Sequence, residues 1–229
     1  MSGVLHPIAS WGRLSREGHR LIGLYDRDRV GEVVRRSPLP GIVFGNGRSY
    51  GDVCLNPGGA LWTARGLDKF IAFDAEAGVI ECEAGVLLKE IIDVVLPRGW
   101  FLPVVPGTQF VTVGGAIATD VHGKAHHVAG SFGDHVLGFE LLRTDGTVLH
   151  CSPEENRDWF EATVGGLGLT GVITRALLRL RRVDGPWLDA QTVPFDCLER
   201  FFELSAQARR AFEYTVSWID CVSGGGGRG

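Results

Sequence analysis

Backbone groups, more than side chains, are what this sequence offers for chemistry. Three glycine-rich stretches stand out: Gly45-Asn46-Gly47-Arg48-Ser49-Tyr50-Gly51-Asp52, the segment 105–127 (VPGTQFVTVGGAIATDVHGKAHH), and Gly165-Gly166-Leu167-Gly168-Leu169-Thr170-Gly171. Glycines leave peptide N–H groups uncovered, and converging N–H groups bind anions such as phosphate. Within the central stretch Thr112 can cap a short helix through its hydroxyl. Gly114, Gly115, Ala116 and Ala118 keep that helix slim, so that a bulky group could lie on its N-terminal amides, where the helix dipole also favours negative charge. Pro106-Gly107 before it is a turn signal, since proline presets one dihedral and glycine accepts positive φ. The competing explanation is a set of tight turns whose small residues merely permit close packing. Three such stretches in one chain favour the anion cradle.

The side chains near these loops leave several roles open. His122, beside a glycine in the central stretch, suits either a hydrogen bond to a bound ligand or a structural role. Lys124 is a solvated charge or part of a substrate entrance, and Tyr50 packs on a bound ring or closes its own loop. His122, His126, His127 and His135 raise the question of a metal, because imidazole is a common ligand. Adjacent His126 and His127 are expected on opposite faces of an extended segment, and no cysteine or carboxylate sits at a zinc spacing, so no metal site is expected. The five cysteines, Cys54, Cys82, Cys151, Cys197 and Cys221, are scattered without a C-x-x-C pair; reduced, mostly buried thiols are the expectation.

Composition narrows the function classes. The 229 residues are 45% hydrophobic and 22% charged, with mean hydropathy +0.10, which describes a globular chain able to bury a core. Glycine, at 33 residues, is about twice its usual share of roughly 7%, and the excess lies in loops. A net charge of −4 without a lysine-rich run gives no electrostatic footprint for nucleic acid. The N-terminal residues lack the apolar core of a Sec-type signal, and no apolar run approaches the roughly 20 residues of a membrane span. A cytoplasmic protein without a transmembrane segment is expected.

The remaining elements must position the glycine stretches. Residues 26–36 read as a short helix capped at Asp28, with Val30, Val33 and Val34 as its apolar stripe, ended by Ser37-Pro38-Leu39-Pro40. The run 41–45 (GIVFG) is a short buried strand delivering the first glycine loop. Strands are expected over 70–74 and 79–83, then a helix over 87–96 stopped by Pro97-Arg98-Gly99. Strands over 136–143 and 147–151 flank Asp145-Gly146, a two-residue hairpin signal in which both turn positions take positive φ. Ser152-Pro153-Glu154-Glu155 has the spacing of a capping box opening a helix to about Val164. Residues 172–182 alternate as one long strand, Ala176, Leu178 and Leu180 opposing Arg175, Arg179 and Arg181. Beyond Asp184-Gly185-Pro186 come a helix over 195–212, with Phe201, Phe202 and Leu204 as its apolar face, and a strand over 214–221. One helix and one strand cannot close a sheet, so residues 185–229 are expected to begin a further, incomplete domain.

Five motifs in order, GRSYGD at 47–52, VPGT at 105–108, VTVGGAIATDVHGKAHH at 111–127, AGSFGDHV at 129–136 and TVGGLGLTGVI at 163–173, resemble the flavoprotein oxidoreductases of the vanillyl-alcohol-oxidase (PCMH) type. Within that family they are most similar to the oxidases acting on polyprenyl-phosphate ribose. The likeness covers about residues 10–222. It implies an α+β fold, a two-subdomain FAD-binding PCMH-type domain at 1–184 followed by the start of a truncated substrate domain at 185–229. By the same resemblance Val43, Gly45, Asn46, Gly47, Arg48, Ser49, Tyr50, Gly51 and Asp52, with Gly107, Thr112, Val113, Gly114 and Gly115, would hold the FAD pyrophosphate and ribose. Thr119, Asp120, Val121 and His122 would line the flavin side, and Ile173 would touch the cofactor from the third stretch. Covalent members attach FAD to a histidine in a loop aligning with 45–51; Arg48, Ser49 and Tyr50 stand there, so FAD is expected to be non-covalent.

The resemblance further implies hydride removal from a secondary sugar hydroxyl, the 2-hydroxyl of a polyprenyl-phosphate ribose, in arabinan precursor synthesis for the cell wall. A separate NADH-dependent reductase would complete the epimerisation, and a lipid-linked substrate would bring the protein to the membrane surface. The family's catalytic lysine falls in the C-terminal part, so no general base is assigned; His122, Tyr50 and Lys124 are the candidates. An oxidase of a soluble alditol or aldonolactone, and a flavin-binding module without turnover, are the alternatives.

Overall fold

The computed structural model describes residues 4–37 and 40–222. Its N-terminal part contains β1 (His6–Pro7), β2 (Gly18–Gly23), α1 (Val30–Arg36), β3 (Gly41–Phe44) and β4 (Ala60–Thr63). They form a four-stranded sheet in the order β1-β2-β4-β3, in which β4 runs parallel to both β2 and β3. The rest comprises β5 (Phe70–Asp74), β6 (Val79–Glu83), α2 (Leu88–Val95), β7 (Trp100–Phe101), α3 (Val113–Ala118), α4 (His126–Ala129), β8 (Val136–Leu142), β9 (Val148–Cys151), α5 (Arg157–Thr163), β10 (Val172–Arg179), β11 (Arg181–Arg182) and α6 (Leu198–Ala211). Here a five-stranded antiparallel sheet runs β5-β6-β10-β8-β9, and β11 pairs with β7.

Each sheet has its own core. The larger core places Ile80 of β6, Leu88 and Ile91 of α2, Ile117 of α3, Leu141 of β8 and Leu178 of β10 together, all but fully buried. Burying each such aliphatic side chain stabilises the fold by about 1.5–3 kcal/mol. The smaller core joins Leu24, Val30, Val34, Trp62 and Leu67 to Leu142 and Val172, the inward ends of β8 and β10. The two sheets are therefore welded through residues immediately preceding and following glycine turns.

Most expected elements form, with informative differences. The strands 70–74 and 79–83 stand as read, with Gly78 in the left-handed region at φ 68°. Asp26, not Asp28, caps the first helical segment, its carboxylate accepting from the Asp28 N–H at 3.1 Å; a 3-10 turn over Arg27–Arg29 then leads into α1. Pro38 and Leu39 of the expected stop lie outside the described residues. The β8–β9 connection is not a two-residue turn, since only Gly146 takes positive φ, at 92°. The Gly146 N–H donates to Arg143 O at 2.9 Å and the Arg143 N–H to Thr147 O at 2.8 Å, a three-residue loop with glycine in the bulge position.

Ser152 does not open a helix. Its Oγ accepts from the N–H groups of Glu154 and Glu155 at 3.1 and 2.9 Å, closing a local turn, and Asn156 at φ 48° separates that turn from α5. The long strand is interrupted at buried Leu180, whose N–H donates to Gly78 O at 2.7 Å; the chain then leaves the large sheet to pair with β7. The strand expected over 214–221 does not form, and this run pairs with none of the sheets. Only its first residues are held: Tyr214 lies against Arg181, and the Thr215 N–H donates to Lys124 O at 3.2 Å, while residues 216–221 are exposed. Cys82 and Cys151 are buried, Cys54 is half-buried, and Cys197 and Cys221 are exposed, so the thiols are not mostly buried. Burial pushes the Cys82 thiol up to about 12.

Candidate functional site

The three glycine-rich stretches meet around one cleft of about 620 Å³, a size typical of small-ligand sites. The first wall is the loop from Gly45 to Gly51, leaving the end of β3. The second runs from Pro106 through Thr108, Val111 and Thr112 along α3 to Thr119, Val121 and His122. The third is Leu167, Gly168 and Gly171, leading to Ile173 on β10. The first two walls are tied by Asn46, whose Nδ2 donates to Phe110 O at 2.7 Å. The Arg48 guanidinium sits 6.0 Å from the Phe110 ring centre. At the rim, the Trp11 and Tyr50 rings meet edge to face at 5.3 Å.

Helix α3 organises the other two walls through its ends. The C-terminal carbonyls of a helix lack partners within it, and here each finds one outside. Gly115 O accepts from the Thr119 N–H and hydroxyl, Ala116 O from the Val121 N–H, Ile117 O from the Gly165 N–H at 3.0 Å, and Ala118 O from the Leu167 N–H at 2.7 Å. The third stretch thus hangs from the end of α3.

At the other end of α3 the structure corrects the sequence reading. Thr112 does cap the helix, its Oγ1 accepting from the Gly115 N–H at 3.2 Å. The Val113 N–H, however, donates to Val86 O and the Gly114 N–H to Ala84 O, both at 2.8 Å. The first-turn amides expected to receive a phosphate are already engaged. A Cβ on Gly114 would approach Ala84 Cβ to 3.1 Å, so this glycine serves close packing.

The first loop is the opposite case. Among the described residues, no acceptor pairs with the backbone N–H groups of Asn46, Gly47, Arg48, Ser49, Tyr50 or Gly51, and all six residues line the cleft. Gly47 takes φ 61° there. Partly buried amides are ordinarily paired; Asn46, Gly47, Ser49 and Gly51 are partly buried and Arg48 and Tyr50 exposed, so the loop offers a series of amides free to receive an anion. Gly51, Gly107 and Gly168 line the cleft, and a Cβ added at any of them would meet nothing within 4 Å, so none of the three serves close packing. Arg48 is the one permanently charged side chain among the described lining residues, and no carboxylate joins it. The phosphate oxygens of a ligand would suit such a wall.

Of the residues expected at the cofactor, Val43, Gly45, Asn46, Gly47, Arg48, Ser49, Tyr50, Gly51, Gly107, Thr112, Gly114, Gly115, Thr119, Val121, His122 and Ile173 line this cleft. Asp52, Val113 and Asp120 do not. Asp52 accepts from the Ser10 hydroxyl at 3.0 Å, Val113 is fully buried in the larger core, and Asp120, at φ 42°, accepts from the Gly133 N–H at 2.8 Å. Of the three catalytic candidates, His122 and Tyr50 border the cleft, Tyr50 being 78% exposed. Lys124 lies off the lining. His126 and His127 begin the helical turn α4, so they are not on opposite faces of an extended segment, and their rings stand 5.7 Å apart.

Leu167 and Gly168 of the third stretch also line the cleft, as do Trp11, Cys54, Ala64 and Ala84, which were not assigned to the site from sequence. Ala64 and Ala84 follow β4 and β6 directly and arrive through the sheet arrangement, which no local signal reports. Burial raises the Cys54 thiol above its ordinary range, opposed by a hydrogen bond with Ser49, so it remains a neutral thiol in the cleft wall at neutral pH.

Residues 27–152, more than half of the chain, match the sequence family described as FAD binding domain. The chain is 36% identical over 222 residues to decaprenylphosphoryl-β-D-ribose oxidase of Mycolicibacterium smegmatis, covering 94% of this chain and 48% of that protein. It is 53% identical over 98 residues to an uncharacterized protein in the mprA 5′ region of Streptomyces coelicolor, covering 43% of this chain and 26% of the other. It is 32% identical over 163 residues to mouse (Mus musculus) L-gulonolactone oxidase, covering 68% and 36%. The chain spans about half the length of the first of these relatives and less of the other two.

Proposed function

The chain belongs to the FAD-binding domain family, and from that premise we propose that its cleft holds FAD non-covalently with the pyrophosphate on the first loop. The amides of residues 46–51 and the Arg48 guanidinium would receive the phosphate oxygens, and the slim face of α3 would accept the ribityl chain. Thr119, Val121 and His122 would border the ring system. When bound, FAD supplies a hydride acceptor. The residues of this chain bind it, orient it and exclude water from one of its faces. The observation that carries the reading is the series of loop amides, unpaired among the described residues, on a cleft whose one permanently charged described lining residue is Arg48.

The whole protein is then an FAD-dependent oxidoreductase acting on a secondary hydroxyl of a sugar. The name of the M. smegmatis relative, a decaprenylphosphoryl-β-D-ribose oxidase, supports a polyprenyl-phosphate ribose as substrate; oxidation at its 2-hydroxyl in arabinan precursor synthesis, with a separate NADH-dependent reductase completing the epimerisation, belongs to the same proposal. The L-gulonolactone oxidase likeness supports a second reading, oxidation of a soluble aldonolactone or alditol. Purified protein is expected to be yellow, and acid precipitation to leave the chromophore in solution; colour carried down with the protein would contradict non-covalent binding. Anaerobic bleaching of the flavin by a lipid-linked ribose but not by free lactones supports the first substrate, and the reverse supports the second. Bleaching by neither would mark the chain as a flavin-binding module without turnover.

A further inference from the structure

A second depression, of about 580 Å³, lies on residues that the FAD cleft does not use. Arg179 and Arg181 reach it from the end of β10 and from β11, Arg209 and Arg210 from the last turn of α6, and His135 from the approach to β8. Arg181 is spoken for on one side, its Nη1 lying 2.5 Å from Glu213 Oε1 and its Nη2 3.3 Å from the Tyr214 hydroxyl. Its Nε is buried and has no partner among the described residues. Among the described residues, Arg179, Arg209 and Arg210 have no carboxylate partner. His135 places Nε2 2.7 Å from Ala129 O, which fixes the ring.

Four arginines against the single carboxylate of Glu213 make this the reverse of the chain as a whole, whose net charge is −4. Arginines in the last turn of a helix are favoured by its dipole, which explains Arg209 and Arg210 but not their convergence with Arg179 from a different element. Pro103, Val128, Leu180 and Phe212 supply apolar wall beside them. Guanidinium groups are suited to phosphate oxygens. We propose that this depression is a second anion site, binding a phosphate ester whose remainder is apolar. It does not depend on FAD occupying the first cleft.

The test is titration of the full chain, with its flavin as purified, by dodecyl phosphate, inorganic phosphate and the uncharged dodecyl maltoside. Dodecyl phosphate is expected to bind about tenfold or more tightly than either control, weakening with added salt as exposed charges are screened. The double variant Arg209→Ser/Arg210→Ser and the single variant Arg179→Ser should each lower that affinity about tenfold while the flavin spectrum and melting temperature stay unchanged. Equal binding of inorganic phosphate would reassign the site to a free anion and overturn the apolar part of the proposal. Unchanged affinity in both variants, or binding of dodecyl maltoside as tightly as the phosphate, would overturn it entirely.

Discussion

The loop of residues 45–51 and the start of α3 look alike in composition, both glycine-rich and both able in principle to present amides to a phosphate. In the folded chain they do opposite things. The loop leaves its amides unpaired and its Gly51 open toward the cleft. The helix spends its amides on Val86 O and Ala84 O and its Gly114 on contact with Ala84. Glycine in one place makes room for a ligand, and in the other it makes room for the protein's own backbone. The distinction is whether each N–H already has an acceptor, a property of tertiary structure that composition does not report.

Substitutions can break or sharpen that contrast. Filling the ligand's space should have the largest effect: Gly107→Leu, whose side chain would enter open cleft, is expected to weaken FAD binding about a hundredfold, or about 2.8 kcal/mol, with the melting temperature of the flavin-free protein unchanged. At the packing glycine the readouts exchange. Gly114→Val is expected to cost about 1–3 kcal/mol of stability through overpacking against Ala84, seen in chemical denaturation of the flavin-free protein. Arg48→Gln removes the cleft's permanent charge and should weaken FAD about tenfold with little loss of stability, measured by flavin fluorescence titration at two ionic strengths. The smallest effect belongs to the cap: Thr112→Ala should cost about 1 kcal/mol of stability and leave flavin affinity within a few-fold.

The sequence was most legible where local signals decide the outcome. Strands β5 and β6 and helix α2 follow from alternation and periodicity bounded by Gly78 and Gly99, both in the left-handed region. The errors arose where a side chain had two local uses. Ser152 has the spacing of a capping box yet closes its own turn, and Asp26 competes successfully with Asp28 for the first cap. Asp145-Gly146 signals a hairpin correctly, but not which residue takes positive φ. The run 214–221 has strand composition without a partner strand, and pairing is not written in a single segment. In the site, the glycine walls were readable from spacing, whereas Ala64 and Ala84 reach the cleft only through the sheet arrangement. That Asp52, Val113 and Asp120 lie off the lining was likewise not legible, since each makes an internal contact set by the tertiary fold.

The account stands or falls on which amides hold the cofactor's pyrophosphate. Hydrogen–deuterium exchange of the chain with and without FAD reads this directly, because an amide that donates to a phosphate exchanges more slowly. Protection that appears over residues 46–51 on FAD binding, with residues 113–115 slow in both states, is the predicted result. Protection gained at 113–115 with 46–51 exchanging freely in both states would contradict it.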